Sequence, residues 1–140
     1  MLDAVPTQVA NILIVEDDPN NRLVVVKLLQ VTGIQPDNIV ELEKDPADYF
    51  ENHPNKKFDL ILLDLQLPGK DGYTILQELQ EKDELSDVPV VALTANVMGQ
   101  DLVQIKAAGF NGFIGKPIDG RRFPEQIRRL LAGESIWANI

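Results

Sequence analysis

Residues 58–69 read FDLILLDLQLPG, and this stretch decides the fold. Four apolar residues in a row, 60–63, with no polar alternation, describe a strand buried on both faces rather than one lying on a surface. Asp64 follows at once, and Leu67-Pro68-Gly69 breaks the chain. A strand of this kind belongs to a parallel sheet covered by helices on each side.

The rest of the chain supplies the partners. Residues 11–15 (NILIV) and 88–93 (VPVVAL) are further buried strands, with Pro89 near the start of its run where a proline is tolerated. Residues 38–42 and 112–115 read as two shorter strands. Between them lie helical patterns. Asp18-Pro19 is an N-cap followed by a first helical residue, and Thr32-Gly33 closes that helix despite the β-branched Val24, Val25 and Val26. A short helix over 46–52 carries Tyr49 and Phe50. Another over 72–82 places Ile75, Leu76 and Leu79 on one face. Met98, Leu102 and Ile105 fall at i, i+4 and i+7 before Gly109. Phe123, Ile127, Leu130 and Leu131 mark the last helix, with Pro124 in its first turn after a turn over 119–122.

Five strands alternating with five helices predict an α/β protein: one doubly wound, five-stranded parallel sheet of order 2-1-3-4-5, flavodoxin-like. The expected organisation is an N-terminal extension over 1–10, one domain over 11–132 and a tail over 133–140.

Composition narrows the chemistry. The 140 residues include 22 acidic and 13 basic side chains, for a net charge of −9, which argues against direct contact with nucleic acid. There is no cysteine, so disulfides and thiolate metal sites are excluded, and a reducing, cytoplasmic setting is the expectation. The lone His53 cannot build a histidine metal site. No apolar run is long enough to span a membrane, and residues 1–11 carry Asp3 but no basic residue, unlike a secretory signal.

In open α/β sheets, ligands gather at the carboxyl ends of the strands. There the chain places Glu16-Asp17-Asp18, Asp64, Thr94 and Lys116-Pro117. Clustered carboxylates repel and are stabilised by a cation; all-oxygen ligands suit Mg²⁺, which welcomes phosphate oxygens. Lys116 and Thr94 offer an ammonium and a hydroxyl to a phosphoryl group. Asp64 stands alone after its strand and is the candidate nucleophile, whereas Glu16 and Asp17 come as a pair suited to metal, with the Gln66 carbonyl as a further ligand. Taken singly, each has a plainer role: Asp18 as a helix cap, Lys116-Pro117 as a turn, Thr94 as a loop hydroxyl, Asp59 as a solvated edge charge. Their joint arrival at four strand ends points to a site.

The segments ILIVEDDPNNR, FDLILLDLQLPGKDGY, VPVVALTAN and GFNGFIGKPID, spanning 12–119, closely resemble the receiver (CheY-like) domains of two-component response regulators. The resemblance implies Asp64 as phosphoacceptor. Glu16 and Asp17 become the acidic pair, with Asp17 a direct Mg²⁺ ligand and Gln66 a carbonyl ligand. Thr94 is the switch hydroxyl, Lys116 the phosphate partner, Phe113 the aromatic switch (simple core packing is its alternative), and the Lys116-Pro117 bond is cis. It implies a histidine kinase or histidine phosphotransfer protein as donor, and an output face made by the fourth helix, fifth strand and fifth helix. Such a protein is a phosphorelay switch and no enzyme beyond self-catalysed phosphoryl transfer and slow autodephosphorylation. A stand-alone regulator is expected, with a module cut from a hybrid histidine kinase as the alternative; monomer and weak dimer stay open. An aspartate-dependent phosphatase would need a second Asp where Gln66 stands, and a nucleotide- or flavin-binding fold would need a glycine-rich loop where Glu16-Asp17-Asp18 stand.

The chain departs from the family in residues 38–55, with Tyr49, Phe50 and Pro54, which read as a shifted helix or a protein-specific surface. It departs again at Pro124, and in the tail, where Trp137 is either a docking anchor for a partner or part of a tail that is folded onto its own domain or disordered.

Overall fold

The computed structural model describes residues 4–95 and 99–137. Five parallel strands, β1 (Ile12–Val15), β2 (Ile39–Leu42), β3 (Leu60–Asp64), β4 (Val90–Thr94) and β5 (Gly112–Gly115), form one sheet in the order β2-β1-β3-β4-β5. Helices α1 (Pro19–Thr32), α2 (Ala47–Asn52), α3 (Gly72–Gln80), α4 (Gly99–Ala108) and α5 (Phe123–Leu131) make the crossovers. This is the doubly wound architecture that the alternation predicts. Met98, assigned to the fourth helix from its spacing, lies outside the described residues.

The two-residue period of the strands sorts their side chains into two cores. Ile12, Ile14, Leu60, Leu62 and Leu93 face α1 and α5, where they meet Val25, Leu29, Phe123 and Ile127. Leu13, Val15, Ile61, Leu63 and Ala92 face the opposite way, against Phe50 of α2, Ile75 and Leu76 of α3, and Ile105 of α4. Because both faces are covered, every residue of β1, β3 and β4 is buried. Each such aliphatic side chain contributes roughly 1.5–3 kcal/mol on burial.

The ends of α1 follow local chemistry. Asp18 Oδ1 accepts the backbone N–H groups of Asn20 at 2.8 Å and Asn21 at 3.4 Å, and Gly33 closes the helix at φ 116°. The valine run that makes this segment ambiguous by propensity is resolved by packing: Val25 and Leu29, one turn apart, are fully buried, whereas Val24 and Val31 face outward.

Several readings shift. The third helix stops at Gln80 rather than 82, and a 3-10 turn over Asp83–Leu85 buries Leu85 beneath α3 instead. The second helix is short, Ala47–Asn52, and its aromatic residues form a cluster: Phe50 meets Phe58 edge-on at 6.0 Å, and Tyr49 stacks on His53 at 4.2 Å. Asp59 is not a solvated edge charge. Its Oδ2 accepts the Asn11 N–H at 2.8 Å while its own N–H donates to the Asn11 carbonyl at 2.8 Å, locking β1 to β3 at their N-terminal ends.

The described parts of both flanks pack on the domain. The Val5 N–H donates to the Leu131 carbonyl at 3.0 Å, and Ala10 is fully buried. After Gly133, at φ 90°, the chain returns to β5, where Ile136 pairs with Gly112 in parallel and is 3% exposed. For the described part of the tail, 133–137, the expectation that folds it onto its own domain is what the structure shows.

The face assignments give a direct test. Leu62→Ala should cost about 2–5 kcal/mol in urea unfolding, and Val31→Ala less than about 0.5 kcal/mol. Equal costs would mean that the two residues do not differ in burial as described.

Candidate functional site

The parallel order of the sheet brings the ends of β1, β3, β4 and β5 to one rim. Asp64 and Thr94 are the last residues of their strands, paired onward as Asp64 with Leu93 and Thr94 with Gly115. Glu16 follows β1 and donates its backbone N–H to the Leu42 carbonyl at 2.9 Å, extending the β1–β2 pairing by one step. Lys116 follows β5 and is held likewise, its N–H donating to the Thr94 carbonyl at 2.9 Å. Each functional side chain therefore sits on backbone that the sheet already orders.

The carboxylates meet there. Ligating oxygens of Glu16, Asp17 and Asp64 all lie within 4.8 Å of one another, with Asp17 exposed and the other two buried. Lys116 Nζ reaches Glu16 Oε1 at 2.9 Å and Asp64 Oδ1 at 3.2 Å. Asp64 Oδ1 also accepts the Gln66 N–H at 2.9 Å, so the loop after β3 turns back over the carboxylate. The Gln66 side chain is exposed. Thr94 is 2% exposed at the end of β4, and Phe113 is 2% exposed in the core on the α4 side. The Lys116-Pro117 bond is cis.

Burial, and then the neighbouring Asp64, push the Glu16 carboxyl up from an ordinary 4.5 to about 7, against Lys116 and the Asp18 N–H. Burial also opposes ionisation of Asp64, but hydrogen bonds from Glu16, the Gln66 N–H and Lys116 outweigh it and hold that carboxyl below its usual range. Desolvation pulls Lys116 down, and its two carboxylate partners more than compensate, keeping it raised and charged. Of the two carboxyls, Glu16 is therefore the easier to protonate and Asp64 the easier to ionise. An ionised, anchored Asp beside an ammonium is a competent oxygen nucleophile. Three hard carboxylate donors with no sulfur or imidazole suit Mg²⁺.

Two side chains that the sequence reading passed over hold this rim in shape. Arg22, in the first turn of α1, donates through Nη1 to the Glu16 carbonyl at 2.8 Å and pairs through Nε with Glu41 at 3.4 Å. Lys70, in the loop after β3, reaches Asp45 at 2.9 Å and Glu78 at 2.6 Å. Neither role shows in the sequence, because the partners are brought together only by the crossovers.

The family model for the response regulator receiver domain matches residues 12–128. The chain belongs to the response regulator receiver family. Among curated relatives, this receiver is 35% identical over 124 residues to the polar-differentiation response regulator DivK of Brucella anthropi, covering 86% of this chain and 95% of that one. It is 35% identical over 120 residues to the DNA-binding dual master transcriptional regulator RpaA of Synechocystis, covering 86% of this chain but 48% of RpaA. Against hybrid signal transduction histidine kinase L of Dictyostelium discoideum it is 29% identical over 121 residues, 84% of this chain and only 7% of the kinase. Among solved structures, the receiver domain of sensor histidine kinase PA1611 from Pseudomonas aeruginosa superposes with a TM-score of 0.74 at 28% identity, covering 89% of this chain and 98% of that one. That structure carries a magnesium ion coordinated in its active-site cleft. Receiver domains are generally signalling modules rather than enzymes, and they work with histidine kinases or phosphotransfer proteins. Among the described residues, no helix is long and apolar enough to cross a membrane.

The raised Glu16 predicts a pH dependence in chelator-treated protein. Folding takes up a proton on Glu16, so stability is greatest near or below pH 4.5 for this group and declines as pH rises toward and past about 7. Glu16→Gln should flatten that decline in thermal melts across this range. A slope unchanged in the variant would place its origin elsewhere.

Proposed function

We propose that this receiver unit, residues 11–132 with its two flanks packed against it, accepts a phosphoryl group on Asp64 from the phosphohistidine of a histidine kinase or histidine phosphotransfer protein. The observation that carries this reading is the pairing of Lys116 with both Asp64 at 3.2 Å and Glu16 at 2.9 Å beside a third carboxylate, Asp17. Glu16, Asp17, Asp64 and the Gln66 carbonyl would hold Mg²⁺, which when bound offsets the charge of the phosphoryl oxygens.

The chain's own residues do the rest. The Gln66 N–H and Lys116 keep Asp64 Oδ1 in place, so the carboxylate presents a fixed nucleophile. Its oxygen forms a bond to phosphorus as the phosphorus–nitrogen bond to the donor imidazole breaks, and the imidazole keeps the electron pair and takes up a proton. The phosphoryl group then adds charge of about −2 beside Lys116 and Thr94. Lys116 offsets that charge, and the Thr94 hydroxyl at the end of β4 donates to the new oxygens. Contacts made only in the phosphorylated state shift the positions of Thr94 and Phe113, and so alter the face of α4, β5 and α5 that protein partners read. Nucleic acid and membrane have no direct part in this reading, and the setting is cytoplasmic.

Incubation with acetyl phosphate and Mg²⁺, followed by intact mass, tests the assignment. A single phosphoryl adduct should form on the parent and be absent from Asp64→Asn. Labelling that survives in Asp64→Asn, or a parent that stays unlabelled, would falsify it.

A further inference from the structure

β5 is the last strand of the sheet, and an edge strand offers unpaired backbone groups to any extended segment that comes alongside. Here the chain's own tail takes that place. The Ile136 N–H donates to the Asn111 carbonyl at 3.1 Å, and the Phe113 N–H donates to the Ile136 carbonyl at 3.0 Å. The register is parallel, Ile136 beside Gly112. Side chains alternate as in a true strand. Ile136 enters the core shared by α1 and α5, while Trp137 packs against the core on the α4 side, with Lys106 Nζ 5.6 Å from its ring centre. Upstream, Glu134 pairs with Arg129 at 3.1 Å.

Gly112 makes this approach possible. A Cβ there would stand 2.5 Å from the Ile136 carbonyl oxygen and 3.0 Å from its nitrogen, both backbone atoms that have no room to yield. Yet among the described residues the strap meets β5 itself through one bridged pair, Ile136 with Gly112, and two backbone hydrogen bonds; its other anchors are the buried Ile136 side chain, the packing of Trp137, and the Glu134 N–H and carboxylate on Arg129. An element so attached opens at lower cost than the strands beneath it.

We propose that the β5 edge is an acceptor for an extended peptide strand and that residues 134–137 are a strap occupying it in cis. The partner that fits is an extended protein segment with the strap's own pattern, an acidic residue followed two positions later by an aliphatic–aromatic pair, adding in parallel by backbone hydrogen bonds. It must displace the strap to bind. Strand addition here needs no phosphoryl group on Asp64, so it stands or falls apart from that reaction.

Trp137 is the only tryptophan in the chain, which supplies the readout. Three full-length proteins are compared: Trp137→Phe, with the strap kept; Ile136→Asp with Trp137→Phe, with the strap released; and that pair plus Gly112→Val, with the edge blocked. The probe is the synthetic peptide GESIWANI, whose tryptophan is then the only one in solution. Its emission should shift to the blue and saturate with the strap-released protein, at least about tenfold tighter than with the strap-kept protein, because a tethered strap competes at high effective concentration. The edge-blocked protein should give no shift. An unchanged emission with a strap-released protein that still melts cooperatively, or equal binding by the edge-blocked protein, overturns the proposal. Should Ile136→Asp not fold, the unmodified chain is titrated with the tryptophan-free peptide GESIFANI under acrylamide. Quenching of Trp137 should rise as the strap is displaced, and quenching that never changes rules the acceptor edge out.

Discussion

The ammonium of Lys116 lies between two carboxylates that are each 1% exposed, Glu16 and Asp64, and the functional rim depends on that arrangement. Two buried acids at the ends of neighbouring strands repel each other across a medium that screens poorly. One cation offsets part of that repulsion, and what remains, with burial, makes Glu16 easier to protonate than an ordinary carboxyl. The same three residues also tie β1, β3 and β5 together at their carboxyl ends through side chains, beyond the last backbone hydrogen bonds of the sheet. Charge balance and strand alignment are therefore one constraint. It leaves Asp64 ionised, anchored and adjacent to positive charge, which is the state in which a carboxylate can act.

Around this centre the surface ion pairs have a positional role. Arg22 fixes the Glu16 backbone from the first turn of α1, and Lys70 joins the loop after β3 to the loop after β2. Exposed pairs of this kind contribute little to stability. They join the backbone of Glu16 to α1, and the loop after β3 to the loop after β2 and to α3. The strap on the β5 edge has the opposite character: it meets that strand through a single bridged pair, and in the proposed exchange it gives way to a partner segment.

Much of this was open to reading from one dimension. Burial on both faces of a parallel sheet demands unbroken apolar runs, so 60–63 and 12–15 announced themselves as strands, and Asp18-Pro19 announced the helix that follows. Glu16, Asp17, Asp64, Thr94 and Lys116 could be singled out because strand ends at one edge of such a sheet must converge. The misreadings share a cause. Asp59 looked like a solvated charge because its partner, the backbone of Asn11, is 48 residues away. The third helix looked longer because Leu85 satisfies the core through a separate turn that no helical period describes.

The order of residues along the chain settled the alternation of strands and helices, and with it which side chains reach the rim at the strand ends, because periodicity and strand-end placement are local properties. Distances were decided only by folding. Whether Lys116 meets one carboxylate or two, which acid is the easier to protonate, and where Arg22 and Lys70 find their partners all follow from how the crossovers pack. The tail shows the division most plainly. Its sequence left Trp137 open between anchoring a partner and lying folded on its own domain or disordered. The missing side chain of Gly112, on a strand more than 20 residues earlier, is what lets the backbone of Ile136 close on β5.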